Sequence, residues 1–185
     1  MSQAERILRK IEKMSQTQFL PIIGPEKGEI LTRVVRETKP RRVLEIGTLI
    51  GYSAILIGRE LDPDAQLITI EIHPDEAKTA EENIRLAGIS AKVDVLVGDA
   101  IKVIPKLKGS FDFVFIDAEK TEYYQYLKLV ENKLHVESVI VADNAGIFAD
   151  QMRDYLNYLR TSPKYRSKYV QVREDGLEIS TRWRE

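Results

Sequence analysis

Two acidic residues and an amide, Asp117, Asp143 and Asn144, each follow an apolar run, at 111–116 and 138–142. A lysine, Lys120, lies three residues past the first acid. If the two runs are adjacent parallel strands, both acids finish on one edge of the sheet, roughly 5 Å apart. Two carboxylates and an amide oxygen make a hard, all-oxygen set. Such a set suits Mg²⁺ or another divalent cation, with waters and substrate oxygens filling the shell. A lysine beside a dication loses its proton more readily, because like charges disfavour the ammonium, so Lys120 could act as a general base on a hydroxyl. The plain alternatives are a bare acidic pair on the rim and a surface lysine.

A second constellation lies at 42–53, Arg-Val-Leu-Glu-Ile-Gly-Thr-Leu-Ile-Gly-Tyr-Ser. An apolar, β-branched run carries Glu45, then Gly47 and Gly51 bracket a turn before helical periodicity begins. The dinucleotide pattern needs glycines two and five positions after Gly47, where Leu49 and Tyr52 stand, and no phosphate loop occurs. An acid beside the glycines disfavours a pyrophosphate. A cofactor with a cationic centre and no phosphate fits better, and S-adenosylmethionine is such a molecule. A merely structural strand–turn–helix is the competing reading.

Acidic ends recur. The five runs at 42–46, 66–72, 92–97, 111–116 and 138–142 carry Glu45, Glu71, Asp99, Asp117 and Asp143 at or near their C-terminal ends. In a parallel sheet those ends share one edge, where open α/β sheets bind ligands. Glu71 could accept both hydroxyls of a ribose, and Asp99 the amine of an adenine while capping a short helix at 100–107. A solvated, helix-capping rim is the alternative.

The elements that must position these groups follow in order. Amphipathic helices are expected at 3–14 and 26–37, then helices at 51–61, from Pro74 to Gly88, at 121–133 and at 148–160. The last strands are expected at 168–174 and 177–183, joined by a turn at Asp175-Gly176. Five β–α units and a terminal hairpin make one α/β domain over 1–185. Its sheet is a doubly wound, Rossmann-like, mostly parallel arrangement of seven strands, ordered 3-2-1-4-5-7-6 with the hairpin antiparallel. The helices within about 3–37 are expected to cap the substrate or to seal a homodimer.

Composition narrows the classes. The 185 residues carry a formal net charge of -1, no cysteine, and only His73 and His135 as histidines. Disulfides, thiolate metal centres and a His-rich zinc site are excluded. No apolar run approaches the roughly 20 residues of a membrane span, and the charged N-terminus lacks a signal-peptide core, so a cytoplasmic protein without membrane association is expected.

The stretch 43–53 resembles the first motif of the cation-dependent class I O-methyltransferases, the family of catechol and caffeoyl-CoA O-methyltransferases. The segments 67–72, 115–120, 141–144 and 175–177 resemble its later motifs in the same order. The resemblance implies S-adenosylmethionine near Gly47, Leu49, Gly51, Ser53, Glu71, Asp99, Ala100 and Asp117, with Glu45 at the motif's acidic position. It implies Mg²⁺ on Asp117, Asp143 and Asn144, and Lys120 as base. Tyr169 stands where catechol enzymes carry an acidic substrate contact, and Ala145-Gly146-Ile147-Phe148 replaces the usual pocket wall. These departures count against catechol itself, and the expected acceptor is a hydroxyl of a small molecule. Arg160, Lys164, Arg166 and Lys168 around Tyr165 raise a hydroxylated RNA base as an alternative acceptor. A non-catalytic nucleotide-binding domain is a second alternative, and a dehydrogenase a more distant one.

Overall fold

Alternation along the central strands decides the layers. In β1 (Arg42–Ile46), Val43 and Glu45 face one way and Leu44 and Ile46 the other. The computed structural model describes residues 1–185. Its single sheet runs β3-β2-β1-β4-β5-β7-β6. The strands are β2 (Gln66–Glu71), β3 (Lys92–Val97), β4 (Phe111–Ile116), β5 (Leu134–Ala142), β6 (Tyr165–Val172) and β7 (Asp175–Arg182). β1 to β5 pair in parallel, and β7 is antiparallel to both β5 and β6.

Both faces are covered, as a mostly parallel sheet requires. On one face Val43, Leu67, Phe113, Phe115 and Val141 meet α1 (Gln3–Ser15), α2 (Gly24–Thr38), α3 (Tyr52–Gly58) and α4 (Pro74–Ala87). On the other, Leu44, Ile68, Val114, Ile116 and Ile140 meet α5 (Ala100–Val103), α6 (Tyr123–Val130) and α7 (Arg153–Thr161). The α1 start is a capping box: Ser2 Oγ accepts from Glu5 N, and Glu5 Oε2 accepts from Ser2 N. Its stripe of Ala4, Leu8 and Ile11 is buried within the chain, in the core shared with α3 and α4.

Several boundaries differ from the sequence expectation, and three of the differences have a visible cause. β5 begins at Leu134, four residues before Ser138, because its first half continues past an irregularity opposite Phe111–Phe113. Residues 135–137 there are exposed, so no apolar run marks them. α7 begins at Arg153 rather than 148, since turns occupy 145–152. The hairpin turns at Arg173-Glu174, not at Asp175-Gly176: Val172 pairs with Asp175 and Gln171 with Gly176. Arg173 takes the left-handed backbone conformation (φ 55°) without a glycine. Gly176 is instead a strand residue packed beneath the Tyr169 ring.

Candidate active site

One cavity of about 810 Å³ opens over the C-terminal ends of β1, β2, β4 and β5. Gly47, Leu49, Ser53, Glu71, Asp99, Ala100, Asp117, Lys120, Asp143 and Asn144 all line it. Glu45 and Gly51 do not.

The first loop owes its shape to contacts on both sides. Gly47 has φ 95°, and a Cβ there would run into the backbone carbonyl of Asp117, so no other residue fits without moving β4's end. Leu49 also sits in the left-handed region (φ 49°), and its N–H donates to Glu71 Oε2 at 2.7 Å. The other Glu71 oxygen accepts from His73 N at 3.0 Å. Two backbone donors thus fix this carboxylate at the end of β2. Asp99 caps α5 by accepting from Ile101 N at 2.9 Å. Gly51 starts α3 and lies against Ala80 of α4, where its missing side chain lets the two helices approach.

Glu45 points away from the cavity, on the face that packs against α3. Ser53 Oγ donates to its Oε1 and Thr69 Oγ1 to its Oε2, both at 2.5 Å. Complete burial, with lesser help from Asp117 and Glu71, pushes this carboxyl up to about 8, against the pull of the two hydroxyls. Its link to the cavity is indirect, through Ser53.

At the other end of the cavity, Lys120 Nζ donates to Asp117 Oδ1 at 2.9 Å and to Tyr123 Oη at 3.0 Å. The buried Tyr123 hydroxyl donates in turn to the Asp143 carbonyl at 3.3 Å. Asp143 is almost fully buried, and burial together with Asp117 pushes its carboxyl up, opposed by Lys27. Lys27 Nζ, on α2, donates to Asp143 Oδ1 at 2.5 Å and to Asp175 Oδ2 at 2.7 Å. Asn144 Nδ2 donates to Asp175 Oδ2 at 2.9 Å. Asp117 Oδ2, Asp143 Oδ2 and Asn144 Oδ1 accept no hydrogen bond from the protein. Three oxygens on cavity-lining side chains are therefore left for a ligand.

Lys27 and Asp175 were not legible as site residues. Lys27 sits in an ordinary charged first turn of a helix, and Asp175 carries the signature of a turn. The cavity lining also includes Phe19, Pro21, Ile22 and Ile23, from the segment between α1 and α2, together with Ile147 and Phe148. The basic group around Tyr165 is partly committed elsewhere: Arg160 pairs with the buried Glu178, Arg166 lies over the Trp183 ring, and Tyr165 is buried.

Residues 2–158 match the family model described as O-methyltransferase. The chain is 42% identical over 171 residues to catechol O-methyltransferase B of Danio rerio, covering 85% of this chain and 64% of that protein. It is 35% identical over 177 residues to catechol O-methyltransferase of Mus musculus, covering 89% of this chain and 66% of that one. It thus spans a little under two thirds of the length of these relatives. The crystal structure of the O-methyltransferase TomG from Streptomyces achromogenes, involved in tomaymycin synthesis and in complex with SAM, superposes with a TM-score of 0.87 at 27% identity. That match covers 96% of this chain and 89% of TomG.

Proposed function

The chain belongs to the O-methyltransferase family, and from that premise we propose that it transfers a methyl group from S-adenosylmethionine to a hydroxyl of a small-molecule acceptor, with a divalent cation and Lys120 as base. One observation carries the reading. A single cavity joins the 47–53 loop, Glu71 and Asp99 to Asp117, Lys120, Asp143 and Asn144. No separate pocket is needed for cofactor and acceptor.

In this reading Glu71 receives the ribose hydroxyls and Asp99 the adenine amine. Bound S-adenosylmethionine supplies a methyl group on a cationic sulfur. The metal donor set passes a test of fit: the three free oxygens of Asp117, Asp143 and Asn144 are hard donors, and ammonium groups already sit on both carboxylates. A bound divalent ion supplies positive charge that acidifies an acceptor hydroxyl. Lys120 takes the hydroxyl proton at Nζ, and Asp117 and the Tyr123 hydroxyl hold that nitrogen in place. Ile147 and Phe148 form an apolar wall that keeps water from the acceptor, and the Phe19–Ile23 segment covers the cofactor end. The relatives named for catechol make vicinal dihydroxy aromatics the first acceptors to try. The reading includes a cytoplasmic enzyme.

Methyl transfer to a panel of such acceptors, with Mg²⁺ present, tests it. Lys120→Ala should lower turnover about 100-fold or more, the lower end of a general-base effect. Asp143→Ala should lower turnover while S-adenosylmethionine affinity survives. Undiminished turnover in both variants would remove the metal–base mechanism, and no binding of S-adenosylmethionine would remove the enzyme reading altogether.

A further inference from the structure

Lys27 lies outside the cavity, yet it is the one cation that touches a proposed metal ligand from behind. It sits in the first turn of α2 and reaches two carboxylates from different strand ends, Asp143 after β5 and Asp175 at the start of β7. Its side chain is only 14% exposed, so this is not a solvent-screened surface pair. Each contact has a geometric consequence. The ammonium holds Asp143 Oδ1 and leaves Oδ2, on a cavity-lining side chain, without a protein donor. Asp175 then does the same for the neighbouring amide: its Oδ2 takes the Asn144 Nδ2 hydrogen, which leaves Asn144 Oδ1 for a ligand. Asp175 Oδ1 is itself fixed by the N–H groups of Gly146 and Ile147, each at 3.1 Å. Asn144 is held in the left-handed backbone conformation (φ 62°), and its own N–H donates to Asp143 Oδ1 at 2.6 Å.

We propose that Lys27 is a positioning residue for the divalent-cation site, clamping Asp143 to Asp175 so that Asp143 and Asn144 present their free oxygens together. The proposal rests on the reading that Asp117, Asp143 and Asn144 hold a divalent ion. Without the clamp, two carboxylates face each other with nothing between them. Asp143 turns away from Asp175, and its free oxygen loses its fixed position relative to that of Asn144. The positive charge of Lys27 by itself disfavours a dication, so charge and geometry predict opposite signs. Removing Lys27 should tighten metal binding if its charge dominates, and weaken it if its placement does.

The test is Mn²⁺ binding to the full chain, followed by the loss of the free-ion EPR signal, with no acceptor present. Lys27→Met should weaken Mn²⁺ binding tenfold or more, the lower end of what loss of a ligand's supporting partner costs, about 10- to 100-fold. Lys27→Arg, which keeps the charge and can span two carboxylates, should recover most of that affinity. Asp175→Asn, made as an independent break in the same clamp, should weaken Mn²⁺ as Lys27→Met does. S-adenosylmethionine binding by calorimetry without metal should stay unchanged in all three, which separates positioning from general damage to the fold. Unchanged or tighter Mn²⁺ binding in Lys27→Met overturns the proposal while leaving the metal reading intact. Should Lys27→Met not fold, wild-type affinity in Asp175→Asn overturns it. Failure of the wild type to bind Mn²⁺ overturns both readings.

Discussion

Glu45 lies on the face of β1 that packs against α3, and its carboxyl touches two hydroxyls, those of Ser53 and Thr69. Thr69 is in turn hydrogen-bonded to Thr48, so the acid anchors a short chain of hydroxyls under the cofactor loop. Its titration has a definite sign. The unfolded carboxyl gives up its proton near 4.5, whereas the folded one keeps it up to about 8. Between those values the native state holds the extra proton, so this group makes stability fall as pH rises, and the penalty is complete above 8. Glu45→Gln keeps the shape and removes the ionisation. Urea unfolding across that window should show a stability loss on the order of a few kcal/mol in the wild type that the variant lacks. Parallel curves for the two proteins would mean that Glu45 is ionised when folded. The type of residue at position 45 could be read as unusual from its place inside an apolar run. Its direction could not, because which side of β1 faces α3 is set by strands that pair with it from 20 or more residues away.

At the scale of elements, the limits of β1, β3 and β4 agree with those read from the chain. β1 and β4 are apolar runs bounded by Pro, Gly or Asp, which local chemistry marks on both sides. Where a boundary rests on a tertiary bond, local chemistry is silent. Asp175 holds the Gly146 and Ile147 N–H groups, which ties the chain after β5 into turns and delays α7 to Arg153. The same acid belongs to β7, so its turn-like sequence misleads. α1 was legible as a helix from its stripe, but its partner was not. The structure gives that partner as α3 and α4, with Ile11 1% exposed and Glu12 accepting from the Tyr52 hydroxyl at 2.6 Å. Ile11→Ala should therefore destabilise the chain by about 2–5 kcal/mol, as for other buried aliphatic truncations. Urea denaturation measures it. A loss under about 0.5 kcal/mol, the level of a surface change, would mean that α1 is not packed as described.

Across the whole molecule the charges nearly cancel, with a formal net charge of -1, yet their placement does not. Glu71, Glu76, Asp99, Asp117, Glu119, Glu122 and Asp143 line one cavity, against Lys120 as the only lysine or arginine there. A cleft lined by one sign of charge concentrates its field and selects counter-ions. The strand ends could be read as acidic from the sequence. That they share one cavity depends on the strand order, which brings β2 and β5 to either side of the β1–β4 pair. The field separates the enzyme reading from a nucleotide-binding domain. A phosphate oxygen brought to 4 Å from a carboxylate costs about 4 kcal/mol at an effective dielectric constant near 20, and a sulfonium gains by the same contact. In the presence of a chelator, calorimetry should find binding of S-adenosylmethionine and none of ATP at the same concentration. Raising the salt should weaken the former, because part of its affinity is charge attraction across a partly open cavity. ATP binding of equal strength without metal would mean that the acidic rim is neutralised in the folded chain, and the cation-selecting role given to Glu71, Asp117 and Asp143 would fall with it.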